Sequence, residues 1–133
     1  MAVTLGVEAN KIVERTAERL KDMKLSKPAF VGLVKTSSHR ERPPEQEGFW
    51  YTRCASILYQ SYNNAKIGTN RLRTHYGGRK NRGRAPERTI RAGGSSIRKA
   101  LQELERLGLL EKFGNKTIKN RHGKEAILYS GRK

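Results

Sequence analysis

One stretch of this chain, Phe49–Tyr62, is apolar on more than one side when wound as a helix. Trp50, Cys54, Ile57, Leu58 and Ser61 share one stripe; Tyr51, Ala55, Leu58 and Tyr62 share the stripe beside it. A surface helix needs a single apolar stripe, so a face this wide must be covered from two sides. The segment predicts a central amphipathic helix. With 133 residues, the chain is long enough for other elements to pack around it as a single domain, residues 1–133.

Those other elements are legible from periodicity and punctuation. Between residues 8 and 23, Ala9, Ile12, Val13, Thr16, Ala17 and Leu20 recur at three- and four-residue steps, which predicts an amphipathic helix. Pro28 follows its end and is placed for the first turn of a second short helix, Ala29–Val34. A polar loop from Lys35 to Gly48 carries Pro43, Pro44 and the acidic residues Glu41, Glu45 and Glu47. Gly68, Thr69 and Asn70 are expected to cap a short helix running to Tyr76, with Gly77 as its left-handed terminal residue. Residues 77–94 hold five glycines and one proline among many arginines, so they read as a loop that orders on binding a partner. Ser95 or Ser96 is expected to cap a helix from Ile97 to Leu107, which Gly108 ends. Leu109–Phe113 then reads as a strand, Gly114-Asn115 as a turn and Thr117–Lys119 as the returning strand, while Ala126–Tyr129 is an apolar patch of undetermined type. The leucine-lined helix, the glycine and the two following leucines, Ser95–Leu110, form the pattern of a winged-helix domain. The expected fold class is mainly α: a helical domain around a central amphipathic helix, winged-helix-like, with a small C-terminal β-hairpin.

Charge narrows the function. Lys and Arg number 29 against 12 Asp and Glu, a formal net charge of +17. Such an excess repels itself in a compact chain and calls for a polyanionic partner, of which nucleic acid is the commonest. The positive charge peaks between Lys66 and Arg91, where Lys66, Arg71, Arg73, Arg79, Lys80, Arg82, Arg84, Arg88 and Arg91 face a single acid, Glu87. The guanidinium fork grips phosphate with two parallel hydrogen bonds and stacks on exposed bases, and the interleaved glycines allow close backbone approach. Arg98 and Lys99, near the start of the following helix, are further candidate contacts, because backbone dipoles there favour phosphate.

Other function classes find no support. One cysteine, Cys54, excludes an intramolecular disulfide, and with His39, His75 and His122 scattered it supplies no zinc pattern. No metal or cofactor is expected. Cys54, Trp50 and Tyr51 lie on the apolar stripes and are expected in the core, whereas Arg53 falls off the Trp50 stripe and is expected at the surface. The histidines form no triad or dyad spacing, so no catalytic residue is assigned; His75 beside Tyr76 reads as a base contact or a capping residue. The start of the chain lacks the pattern of a signal peptide, and its longest apolar stretch, Ala29–Val34, is too short to span a bilayer. An intracellular protein with no membrane association is expected.

Four ordered motifs over residues 10–112 resemble a ribosomal family. Val34-Lys35-Thr36 with Arg40-Glu41-Arg42-Pro43, the segment Phe49–Leu58, the glycine–arginine stretch Tyr76–Gly83 with Pro86, and Ser95–Leu110 are similar to family nineteen of the small-subunit ribosomal proteins shared by eukaryotes and archaea and absent from bacteria. The resemblance implies a structural, non-enzymatic constituent of the small ribosomal subunit that binds ribosomal RNA in the subunit head and takes part in subunit assembly and RNA maturation. It implies RNA contacts at Arg53, at Arg79 and its loop, and at Arg98. With the charge reading, the candidate RNA-binding set is Arg53, Arg71, Arg73, Arg79, Lys80, Arg82, Arg84, Arg88, Arg98 and Lys99. Expected partners are small-subunit ribosomal RNA and neighbouring ribosomal proteins, not a second copy of the chain. The expected place is the cytoplasmic ribosome, with nucleolar transit if the source is eukaryotic. The chain departs from the family at Tyr59 and at Asn63-Asn64-Ala65, where a basic residue and an Arg-Gly-Gly stretch are usual. The alternative reading is a winged-helix DNA-binding regulator, which shares the Ser95–Leu110 module but concentrates its charge on the recognition helix and wing and often dimerises.

Overall fold

The computed structural model describes residues 6–64 and 66–112, and the backbone alone of 118–119, 125–126 and 128–131. In chain order the elements are α1 (Ala9–Asp22), α2 (Phe49–Asn63), β1 (Ile67–Gly68), α3 (Thr69–His75), β2 (Gly78–Arg82), β3 (Ala85–Ile90), α4 (Gly94–Arg106), β4 (Leu110–Lys112), β5 (Ile118–Lys119), β6 (Glu125–Ala126) and β7 (Leu128–Gly131).

The broad apolar face of α2 does what its width requires. Trp50, Cys54, Ala55, Ile57, Leu58 and Ser61 are all buried, with α1 packed on one side and α4 and β7 on the other. Leu20 of α1, Leu72 of α3 and Ile97, Leu101 and Leu104 of α4 complete one continuous core. Each such side chain contributes about 1.5–3 kcal/mol through removal from water. The Trp50 indole N–H, which also enters the core, donates to the Ser26 carbonyl at 2.9 Å. Burial pushes the Cys54 thiol up to about 12, so this group is a small core residue and no nucleophile.

The C-terminal half is a winged helix. β1, β7 and β4 form an antiparallel sheet in that order, with Ile67 opposite Tyr129 and Leu110 opposite Gly131. Gly108, at φ +74°, turns the chain out of α4, and the Leu109 N–H donates back to the Leu104 carbonyl at 3.0 Å, a left-handed helix stop. Leu110 is thereby buried at the start of β4. The strand that pairs with β4 is β7, which overlaps the patch left without a type by the sequence; of the expected returning strand, Ile118–Lys119 forms β5, which pairs with β6 instead, and Thr117 lies outside the described residues. The expected turn at Gly114-Asn115 lies outside the described residues, as does Phe113.

Four other expectations are corrected. Residues 29–34 are not a helix but two successive turns, in which the Val31 N–H donates to the Pro28 carbonyl and the Leu33 N–H to that of Phe30; Gly32 at φ +91° breaks any helical continuation. α3 and α4 have no side-chain caps: the N-cap of α3 is Gly68, one of the three residues expected, without help from Thr69 or Asn70, and that of α4 is Gly93 in place of Ser95 or Ser96. Gly93 is pinned in extended conformation by donating to the Thr36 carbonyl at 2.9 Å, so α4 begins before either serine. Gly77 is not left-handed; its requirement is steric, since a Cβ there would run into the Ile90 carbonyl oxygen. Finally, residues 78–90 are not a loop awaiting a partner. They form an antiparallel hairpin, β2 with β3, pairing Gly78 with Ile90, Arg79 with Thr89, Lys80 with Arg88 and Arg82 with Ala85. Its turn is set by Gly83 at φ +71°, whose N–H donates to Asn81 Oδ1 at 2.9 Å. Pro86 falls opposite the register shift between Lys80 and Arg82, where a strand tolerates a missing N–H.

Candidate nucleic-acid interface

The hairpin is fastened at its root and bare along its length. At the root, Ala92 donates its N–H to the Arg73 carbonyl, and the Arg73 Nε–H donates to the Ala92 carbonyl, both at 2.9 Å. Ser37 Oγ donates to the Arg91 carbonyl at 3.3 Å and lies 2.7 Å from His39 Nδ1. The far edge of the His39 ring rests against Gly78, leaving no room for a Cβ there. The 36–40 segment and α3 therefore hold the two strands from both sides. Beyond the root, Arg79, Arg82, Arg84 and Arg88 are exposed and Lys80 is half-buried. The 3.8 Å approach of Arg79 to Glu87, both exposed, is worth little in water.

Where the hairpin root meets the N-terminal end of α2, the structure opens a groove of about 700 Å³. Arg40, Arg42, Arg53 and Arg79 line it, with Phe49 and two acids, Glu41 and Glu45. Arg42 lies 3.9 Å from Glu45, a fully solvated pair. Arg53 is different. It is half-buried rather than exposed as its off-stripe position predicts. Its guanidinium carbon stands 4.1 Å from the centre of the Tyr76 ring and 5.2 Å from that of Phe49. The reason is tertiary: Tyr76, held by a 2.7 Å hydrogen bond between its hydroxyl and Ser56 Oγ, brings an aromatic face over the α2 surface. Burial lowers the pKa of Arg53, and Arg40 lowers it further against the opposing influence of Tyr76; the guanidinium nonetheless stays charged. Among the described residues no carboxylate pairs with it. A desolvated cation on an aromatic platform, open to a groove and short of an anion, is suited to a phosphate or a stacked base.

The expected site residues divide into groups. Arg53 and Arg79 share the groove, and Lys80, Arg82, Arg84 and Arg88 extend from it along the hairpin. Arg73 gives its Nε to the hairpin root and packs beside Gly94. Arg71 is apart from the groove, its Nη2 donating to Asn64 Oδ1 at 3.2 Å. Arg98 and Lys99 are exposed on α4, the helix that enters a groove in winged-helix DNA readers. Arg40, Arg42 and His39 were not singled out by sequence, although the Arg40–Pro43 motif contains two of them. Among the described residues, no group of His, Cys, Asp and Glu is arranged to hold a metal ion, and no helix is long and apolar enough to cross a membrane.

Residues 4–127 match the family described as Ribosomal protein S19e. The small ribosomal subunit protein eS19 of Aeropyrum pernix is 45% identical over 115 residues, which is 84% of this chain and 75% of that protein. The protein eS19A of Saccharomyces cerevisiae is 45% identical over 89 residues, covering 66% of this chain and 62% of its own length. The eS19 of Emericella nidulans is 40% identical over 106 residues, 79% of this chain and 72% of that protein. The chain thus spans between about three fifths and three quarters of these relatives' lengths. They are structural ribosomal proteins rather than enzymes. On a match covering nearly all of its length, the chain belongs to the ribosomal protein S19e family.

Proposed function

We propose that this protein is a structural constituent of the small ribosomal subunit that binds ribosomal RNA in the subunit head and is needed for assembly of that subunit and maturation of its RNA. The observation that carries the reading is Arg53, a half-buried guanidinium stacked on Tyr76 with no carboxylate partner among the described residues, at the mouth of an arginine-lined hairpin. Phosphate contacts along β2 and β3 position the protein, and the shape of the folded RNA selects the place. Neighbouring small-subunit proteins are its other partners; it acts as one RNA-binding domain and not as a homo-oligomer. Its place is the ribosome in the cytoplasm, reached by way of the nucleolus if the source is a eukaryote.

The winged-helix topology keeps one other reading in view, a regulator that binds duplex DNA with α4. It predicts charge focused on α4 and the wing, whereas among the described residues the arginines peak on the hairpin. One variant tests both. Replacing Arg79, Arg82 and Arg84 together by Ala is expected to lower affinity for structured ribosomal RNA on the order of 100-fold, at about 1 kcal/mol per lost contact. Incorporation into small subunits falls with it. Because all three side chains are exposed, melting of the isolated protein stays within about 0.5 kcal/mol. Equal incorporation of variant and wild type, or a preference for duplex DNA over structured RNA, overturns the reading.

A further inference from the structure

Residues 26–36 form a knob tied down at both ends. The Ser26 carbonyl accepts the Trp50 indole N–H at 2.9 Å, and the Thr36 carbonyl accepts the Gly93 N–H at 2.9 Å. Between these anchors Val31 packs against the core, and the turns on the Pro28 and Phe30 carbonyls fold the segment back on itself. Leu33 and Val34 are left outward, 78% and 49% exposed. A lone exposed leucine is ordinary. These two are adjacent, held on a fixed backbone, and joined through Val34 to an apolar cleft that Phe30, Val31, Pro44 and Phe49 also line. The cleft holds only about 10 Å³, so an occupant lies across it rather than entering it.

The rim of this patch is cationic. Lys24, Lys27 and Lys35 are exposed, and no Asp or Glu occurs from Met23 to Arg40. Among the described residues none of the three lysines pairs with a carboxylate. The acid next to Pro44, Glu45, stands 3.9 Å from Arg42. The contrast with the hairpin is one of chemistry: arginine predominates there, whereas the knob carries only lysine, a point charge that meets a single carboxylate without a planar fork. Leu33 and Val34 gain free energy only by leaving water for an apolar surface. The sugar–phosphate backbone offers none, and a splayed base stacks on an aromatic ring or a guanidinium plane, which an aliphatic pair lacks. An apolar centre inside a rim of unpaired ammonium groups is complemented by a protein segment that carries an apolar side chain among carboxylates.

We propose that the knob is the docking surface for a neighbouring small-subunit protein, whose contacting segment presents an apolar side chain to Leu33 and Val34 and carboxylates to Lys24, Lys27 and Lys35. The proposal rests on the ribosomal reading above and gives to protein a set of side chains that the RNA contacts do not use. Because both ends of the knob are already pinned, docking orders little backbone, and little of the gain is lost to conformational entropy.

The test places a benzophenone side chain at position 33 of the full chain and irradiates small subunits that have incorporated it. The expected product is a crosslink to one ribosomal protein, at a peptide in which an apolar residue is flanked by Asp or Glu. A synthetic copy of that peptide is expected to bind Leu33→Ser about 10- to 100-fold more weakly than wild type, the range for leaving one leucine in water. Lys27→Glu with Lys35→Glu is expected to cost on the order of 10-fold and to remove most of the salt dependence. All three positions are exposed, so melting of the isolated chain is unchanged, and Leu33→Ser keeps its affinity for structured ribosomal RNA within about twofold. A crosslink to ribosomal RNA, to a second copy of the chain or to a peptide without carboxylates overturns the docking surface, as does the absence of any crosslink. So does a loss of RNA affinity on Leu33→Ser as large as the loss of peptide affinity. A wild-type chain that enters small subunits yet fails to bind isolated structured ribosomal RNA overturns the RNA-binding reading instead.

Discussion

Replacing Trp50 by Ala is expected to remove about 3–5 kcal/mol of stability. The indole is fully buried, and it sits on the one helix that touches α1, α4 and β7 at once. Truncation empties the centre of the molecule and strands the Ser26 carbonyl that the indole N–H now satisfies. Domains of this size are stable by only about 5–15 kcal/mol, so a large share of the total is at stake. Thermal unfolding should show it as a fall on the order of 10–20 °C. Trp50→Phe keeps a ring in the cavity and forfeits the hydrogen bond, so its loss should be clearly smaller. Near-equal melting of Trp50→Ala and wild type would mean that α2 is not the organising element.

The second large effect is on binding. Arg53, Arg79, Lys80, Arg82, Arg84 and Arg88 form a continuous cationic tract from the groove to the hairpin tip, and Arg40 and Arg42 flank its base. If about six to eight of these side chains each neutralise one phosphate of a helical RNA, affinity should fall with salt at a slope of about −0.9 per phosphate. A fourfold rise in salt then weakens binding roughly 10³- to 10⁴-fold. A titration of structured ribosomal RNA at several salt concentrations reads the slope directly. A slope near −1 or −2 would show that the hairpin stays in solvent and that only the groove is used.

How far such an architecture can be read from its residues depends on where each constraint comes from. α1, α2, α4 and the stop at Gly108 are written in local periodicity, because each buries one face against the same core. The hairpin carries no such trace. Its two faces are largely exposed, so apolar and polar residues do not alternate, and glycine with arginine looks like a loop. What makes it a ribbon is the backbone ladder and the single left-handed residue at Gly83. Gly77 was identifiable as a glycine with a task, but the task depends on Ile90, which arrives only when the strands pair. The seat of Arg53 was hidden for the same reason: Tyr76 stands far along the chain, and only the fold sets its ring over the guanidinium. The partner of β4 was misplaced because the nearest apolar segment was Thr117–Lys119, while the sheet is closed by the last strand.

The tightness at Gly77 bears on how the molecule can vary. The obstacle there is main chain on both sides, the Ile90 carbonyl and the Arg91 Cα. Trimming a neighbour cannot make space, because every residue type at 90 carries the same oxygen. A lesion at this glycine therefore has no compensating second mutation at its point of contact. It tilts the arginine-bearing arm away from the body and misaims the charges at its tip, so inheritance should guard this position more strictly than any individual arginine it directs.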